Sequence, residues 1–594
     1  MGLPMNNRIA QSVGFIFLFI STISLAQNSY RFHSHNDYLQ DLPFWEAYNH
    51  GAGSIEADVY LKNNNLYVAH TEKEIDSRRT LEKLYFDPIA ELAKYGKLRE
   101  LQLLIDLKSE AEPTLAKLLD ILESYPELKK ESNLNIVISG SRPAPKNYGT
   151  YPDYIMFDHQ DLNNLDKIVL DKIALISQNF RIYSNWNGLG RLTAKELEKV
   201  ERVIKEAHRK NLKVRFWAAP DTKTAWGRFA KMGVDLINTD QPAEASKYLE
   251  NLDQRTYSLK EPISVYKPTY RHDPEAKPKN VILMTGDGNG LGQISSAVIA
   301  NEGQLTVTQL KDIGFLKTSA YDDLVTDSAA GATAMATGKK TSNRAIGTGP
   351  AGERLTSLTE ILSKHGFVNG IMTTDKITGA TPSSFYAHQT ERDNSKGILK
   401  DLLQSEIDFF VSAGAKDHSN IQEKFIKKDV IELSNFNDRV AIYLSEDDIP
   451  VPDSRGRLFP DHVKTVLQKL NEQDQPYFLM IEGAKIDSNG HSNNIEGIVQ
   501  EMLDFDQTIA EVLKAADKHQ NTLVVITADH ETSGFGILQG NQDSDEIEGG
   551  FLTNDHTATM VPVFSYGPQS GSFTGVYENT EIFSKILEAL QVEN

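Results

Sequence analysis

Three apolar runs in the second half of the chain each end in residues that bind metal ions. Val281–Thr285 runs into Asp287, Tyr477–Ile481 into Glu482, and Leu523–Thr527 into Asp529 and His530. Short apolar runs of this kind read as fully buried strands of a parallel sheet. Parallel strands bring their carboxyl ends to one edge, where open α/β sheets hold ligands, so four donors are expected to converge. Asp487 and His491 follow Glu482 in a Gly-containing loop, and His556 stands in Asn554-Asp555-His556-Thr557. The chain has no cysteine, so a metal must sit on carboxylate, imidazole and hydroxyl groups. The candidate nucleophile is Ser328, in Thr326-Asp327-Ser328-Ala329-Ala330-Gly331. The Ala-rich stretch after it predicts a helix. Its N-terminus favours an alkoxide and an incoming phosphate, and a bound cation would lower the hydroxyl pKa further.

The first half carries a second set. Glu56 and Asp58 are two residues apart in Ser54-Ile55-Glu56-Ala57-Asp58, so both point to one face of a strand. Asp106 and Lys108 end Leu103-Leu104-Ile105-Asp106-Leu107-Lys108, His70 ends Leu66-Tyr67-Val68-Ala69-His70, and His33 and His35 lie where Arg31–Asp37 closes the first strand. Clustered carboxylates suit Ca2+ or Mg2+. Two histidines flanking such an ion suit general acid–base cleavage of a phosphodiester.

These residues need elements to hold them. From Tyr30 to Leu249, apolar strand candidates (Ser54–Tyr60, Leu101–Leu107, Asn135–Ser139, Tyr154–Phe157, Lys213–Trp217, Val234–Asn238) alternate with amphipathic helices such as Ala194–Lys210. That alternation predicts βα units closed into a (β/α)8 barrel. A Pro-punctuated polar stretch, 253–278, reads as a linker. A second α/β domain, 279–594, follows, and the barrel occupies 27–252. At 594 residues the chain exceeds what one core usually holds. The formal net charge of -20 argues against nucleic acid or an anionic membrane surface as main partner. It also requires positive charge to be concentrated locally if the substrate is an anion. Residues 1–26 read as a secretory signal: Arg8 precedes the apolar run Val13–Leu25, and Ser24-Leu25-Ala26 places small residues at the cleavage positions. The expectation is a periplasmic or secreted protein with no membrane-spanning segment once the signal is removed.

From about Lys279 to Leu590 these motifs, in this order, resemble the alkaline phosphatase family. The resemblance implies an α/β/α sandwich and hydrolysis of small phosphomonoesters through a phosphoserine, with two zinc ions and one magnesium ion. Carried over position by position, Asp487, His491 and His556 hold the first zinc. Asp287, Asp529 and His530 hold the second beside Ser328, and Asp287, Thr381 and Glu482 hold magnesium. Arg392, in Ala387-His388-Gln389-Thr390-Glu391-Arg392, matches the arginine that grips phosphate bidentately. Two positions depart from the family. Gly379 stands where Asp or His is frequent near magnesium, and Ser488 stands where Lys or His is common. A homodimer is compatible with the resemblance.

More loosely, Tyr30 to Leu249 resembles the glycerophosphodiester phosphodiesterase family and its kin, the phosphatidylinositol-specific phospholipase C barrels. Gly233–Pro242 and Val214-Arg215-Phe216-Trp217 add to the resemblance. By it, Glu56, Asp58 and Asp106 bind Ca2+ or Mg2+, His35 and His70 act as base and acid, and Lys108 neutralises phosphate. The family's usual His-Arg-Gly opening is replaced here. Both His33 and His35 stay open, with His35 favoured, and Asp106 stands where Glu is usual. The joint expectation is a bifunctional phosphohydrolase whose barrel releases the monoester that the second domain hydrolyses. The alternative is a phosphatase fused to an inert lipid- or glycan-binding barrel.

Overall fold

Eight parallel strands wrap around the first unit in the computed structural model, which describes residues 30–593 except 164, 419, 434, 435, 437, 542 and 543. The expected signal at 1–26 lies outside the described residues. The chain divides between Asp253 and Gln254. In the first unit the strands are β1 (Phe32–Ser34), β2 (Ser54–Lys62), β3 (Asn65–Val68), β4 (Leu101–Leu107), β5 (Leu134–Gly140), β6 (Ile155–His159), β7 (Ile173–Asn179), β8 (Lys213–Trp217) and β9 (Ile237–Thr239). Their order is β8-β7-β6-β5-β4-β2-β1-β9. A parallel bridge from Arg215 to Leu236 joins the two ends and nearly closes the barrel.

Two features differ from the sequence expectation. β3 is not a barrel strand; it folds back antiparallel on β2 with Val59 opposite Val68, so His70 reaches the rim from a hairpin. β7 escapes a reading by alternation because its first residues are apolar on both faces while Ser177, Gln178 and Asn179 follow. The helix Ala194–His208 starts where the sequence predicts, with Thr193 and Glu196 forming a reciprocal cap.

The second unit is built on a ten-stranded sheet. Its order is Ile426–Lys427, Val440–Tyr443, Phe409–Ala413, Val368–Lys376, Tyr477–Gly483, Asn280–Gly286, Thr522–Thr527, Val561–Tyr566, Asp312–Lys317 and Gly575–Glu578. Val561–Tyr566 runs antiparallel to both of its neighbours. Along Asn280–Gly286, Ile282 and Met284 enter one core while Val281 and Leu283 enter another. Helices therefore cover both faces, as a run of unbroken apolar residues requires. The stretch read as a linker belongs to this unit and is tied to it. Thr256–Tyr257 pairs with Glu546–Gly550, and Asp517 accepts hydrogen bonds from the Tyr266 hydroxyl at 2.6 Å and the Thr269 N–H at 2.8 Å. Among the described residues, no helix is long and apolar enough to cross a membrane.

Candidate active site

The three central strands of the second unit end side by side, with Thr285 in register with Glu482 and with Thr527, so Asp287, Glu482, Asp529 and His530 reach one edge together. Asp487 and His491 do not sit in a loop. They occupy one helix, Lys485–His491, at i and i+4, which puts both on the same face. Gly490 and Ser488 disguise this helix in the sequence. Gly490 is needed there because a Cβ would lie 2.7 Å from Thr532 Cγ2. The strand pair Glu531–Thr532 and His556–Thr557 brings in His556. Oxygen and nitrogen atoms of Asp487, His491 and His556 lie within 4.8 Å of one another, as do those of Asp287, Asp529 and His530. The Nε2 atoms of His491 and His556 are 3.1 Å apart. Ser328 begins the helix Ser328–Thr337, whose first turn is capped by Asp327 through the Ala330 N–H at 2.9 Å. Its hydroxyl lies 3.2 Å from His530 Nε2. Arg392 donates to Asp327 at 3.0 Å, so the guanidinium is held beside Ser328. Thr381 donates to Asp287 at 3.5 Å, and the Thr373 hydroxyl donates to Glu482.

The charges in this cluster are unbalanced. Burial, then the carboxylates of Asp529 and Asp487, push Asp287 well up. Burial, then Asp375, push Glu482 up to about 8. Asp529 rises to about 6 for the same reasons, burial and Asp487. Burial drives His530 down to about 3. Burial also opposes ionisation of Asp487, but His491 and His556 outweigh it and hold this carboxyl low. Asp287 Oδ1 and Asp529 Oδ2 are buried without a hydrogen-bond partner. Buried carboxylates left unpaired are costly, and divalent cations are the group that this donor set fits.

Inside the barrel, side chains from four strands, and from the segments that follow strand ends, meet. Glu56 accepts from Arg215 at 2.8 Å and lies 2.7 Å from His33 Nε2. His33 is fully buried, lies 2.8 Å from Ser54 Oγ and is driven down to about 3 by burial, then by Arg215. His35 stands at the mouth, 2.7 Å from Asp240. Asp58 and Asp106 are register partners, and Lys108 pairs with both, at 3.0 Å from Asp58. His70 is exposed and lies 3.5 Å from Asp58. Glu56, Asp58 and Asp106 offer oxygens within 4.8 Å of one another. Asp58 Oδ1 is buried with no partner, so this trio also fits a cation.

The sequence and fold of the second half resemble those of known proteins. The alkaline phosphatase family model matches residues 278–433 and 458–546. Alkaline phosphatase 3 of Bacillus subtilis is 28% identical over 413 residues, covering 53% of this chain and 89% of its own. The alkaline phosphatase of Escherichia coli K12 is 26% identical, covering 52% of this chain and 86% of its own. The solved alkaline phosphatase from the Antarctic bacterium TAB5 is 37% identical with a TM-score of 0.50, covering 54% of this chain and 99% of its own. The chain belongs to the alkaline phosphatase family. An AIM6-like phosphodiesterase domain matches 23–99, and the glycerophosphoryl diester phosphodiesterase family matches 213–243.

Membership of this family supports phosphomonoester hydrolysis by the second half of the chain. Its departure at Gly379 has a spatial explanation. A Cβ there would sit 2.5 Å from Asp375 Oδ2, so Asp375, held at 3.0 Å by Lys485, fills that space with a carboxylate of its own. Ser488 is exposed. Sequence reasoning missed several supporting residues. The Thr532 hydroxyl donates to Asp487 at 2.5 Å and lies 3.2 Å from His530 Nδ1. In the barrel, the Tyr38 hydroxyl lies 2.7 Å from Asp58 and 2.9 Å from His70 Nδ1. Thr532 could have been found from its i+2 spacing to His530. Tyr38, an aromatic in an irregular stretch, carries no comparable signal.

Proposed function

We propose that the chain is an exported bifunctional phosphohydrolase: a two-zinc, one-magnesium phosphomonoesterase working through phosphoserine, preceded by a phosphodiesterase barrel. The observation that supports the first part most is the Ser328 hydroxyl, which faces His530 among six metal-type donors with Arg392 alongside. Arg392 orients the phosphoryl oxygens. Ser328 Oγ forms a bond to phosphorus as the ester P–O bond breaks, and the alcohol leaves with a proton. Water then cleaves the Ser328 O–P bond, releasing phosphate and restoring the hydroxyl. When bound at Asp487/His491/His556, Asp287/Asp529/His530 and Asp287/Thr381/Glu482, the metal ions supply the positive charge that favours the alkoxide and neutralises the transferring group.

In the barrel, His35 with Asp240 and His70 with Tyr38 provide the base and acid, and Lys108 with a Ca2+ or Mg2+ ion on Glu56, Asp58 and Asp106 faces the diester. Small glycerophosphodiesters are its substrates, and its monoester product feeds the second half. Export through cleavage after Ala26 places both reactions in the periplasm or outside the cell. The test uses chelated and reconstituted full-length protein. Chelation should abolish monoester hydrolysis, zinc plus magnesium should restore it, and Ser328→Ala should retain diester cleavage that His70→Ala removes. Monoester turnover in protein shown to be metal-free would sink the first reading. Diester cleavage lost with Ser328 but kept in His70→Ala would sink the second and favour a binding barrel.

A further inference from the structure

Behind the ligands lies a carboxylate with no part in these steps. Glu531, 4% exposed, follows the donor His530. Its Oε1 accepts from Gln293 Nε2 at 3.0 Å and the Phe535 N–H at 3.2 Å. Its Oε2 accepts from the Gly534 N–H at 3.2 Å and from the Thr557 hydroxyl. Thr557 follows the donor His556, and Glu531 and Thr557 are opposite one another in the strand pair. This pairing is two residues long on each side, far less than backbone bonding alone makes stable, and the Glu531–Thr557 link crosses it. The surroundings are tight: a Cβ at Gly290 would lie 2.4 Å from Glu531 Cγ. No Lys or Arg forms an ion pair with Glu531 among the described residues. A buried carboxylate served only by neutral donors costs stability.

We infer that Glu531 is a positioning residue for the first zinc. Through Thr557 it fixes the backbone that carries His556, while the Thr326 carbonyl, 2.9 Å from His556 Nδ1, fixes the ring. This inference rests on the metal reading above. Partners behind a metal ligand typically change metal affinity by about 10- to 100-fold when mutated.

The experiment follows zinc transfer from the full-length, zinc-loaded protein to a chromogenic chelator, with zinc per chain counted by elemental analysis and folding checked by near-UV circular dichroism. In Glu531→Gln, one zinc should leave about 10- to 100-fold faster than in the wild type and the other at the wild-type rate. Thr557→Val, which keeps the carboxylate, should speed loss of the same ion to a lesser degree, and it decides the matter if Glu531→Gln does not fold. Wild-type release rates for both ions in the folded variants overturn the inference. A wild-type protein that takes up no zinc overturns the metal reading on which it stands.

Discussion

Arg392 is anchored on Asp327, next to the nucleophile. Its replacement by Ala should cost about 1.5–3 kcal/mol of charge-assisted binding, which is roughly a 10- to 100-fold rise in KM for monoesters and in the inhibition constant of inorganic phosphate. Steady-state kinetics with phosphate as competitor checks this. Tyr38 touches Asp58, Asn36 and His70 with one hydroxyl. Tyr38→Phe keeps the ring and removes that junction, so diester turnover in a Ser328→Ala background should fall about tenfold, the equivalent of one hydrogen bond of about 1.4 kcal/mol, with monoester turnover untouched when the same change is made in a Ser328-intact chain. Asp287, Glu482, Asp529 and His530 could be picked out because each lies at or just past the carboxyl end of a buried strand and its type announces its chemistry. The supporting residues could not: Tyr38, Thr532 and Asp375 have common types, and their use appears only when neighbours distant in sequence are brought together.

At the scale of elements, the central strands could be read because unbroken apolar runs between Gly and polar residues leave few alternatives. The helix Lys485–His491 could not, because its Gly and Ser oppose helix formation and packing against Thr532 overrides them. The Pro-rich stretch before Asn280 was also misleading in part: its prolines signal irregular backbone, but Asp517 fastens it down. Burial alone would raise the Asp517 carboxyl; hydrogen bonds from Tyr266, Tyr566 and Thr269 outweigh burial and hold it below its ordinary value of 3.8. A carboxyl held low in the folded state contributes stability above its unfolded pKa and loses it as pH falls through the folded value. Asp517→Asn should therefore destabilise the second unit by about 1–3 kcal/mol at neutral pH, and the gap from wild type should narrow below about pH 4. Thermal unfolding of both proteins across that range measures the difference. Limited proteolysis should cut the variant sooner between residues 258 and 278.

The proposed function joins two chemistries that fit in sequence, diester to monoester and monoester to phosphate. An acidic chain, with formal net charge -20, can handle anionic substrates only where cations are gathered, and both sites answer this with carboxylate clusters that fit divalent ions. Fold class and the two-unit plan were readable from alternation and length, whereas β7, the β3 hairpin and the sheet's outer strands depend on tertiary pairing that no local pattern reports. If the barrel supplies the phosphatase, wild-type protein given a glycerophosphodiester should release inorganic phosphate, and Ser328→Ala should accumulate the monoester instead; phosphorus NMR distinguishes these products. The central claim is that the clustered donors surround a hydroxyl that becomes phosphorylated. Its most direct measurement is peptide mass spectrometry after rapid acid quenching of the metal-loaded protein during monoester turnover. Phosphate is expected on Ser328. Turnover with phosphate on another residue, or on none under conditions that trap the intermediate, would contradict it.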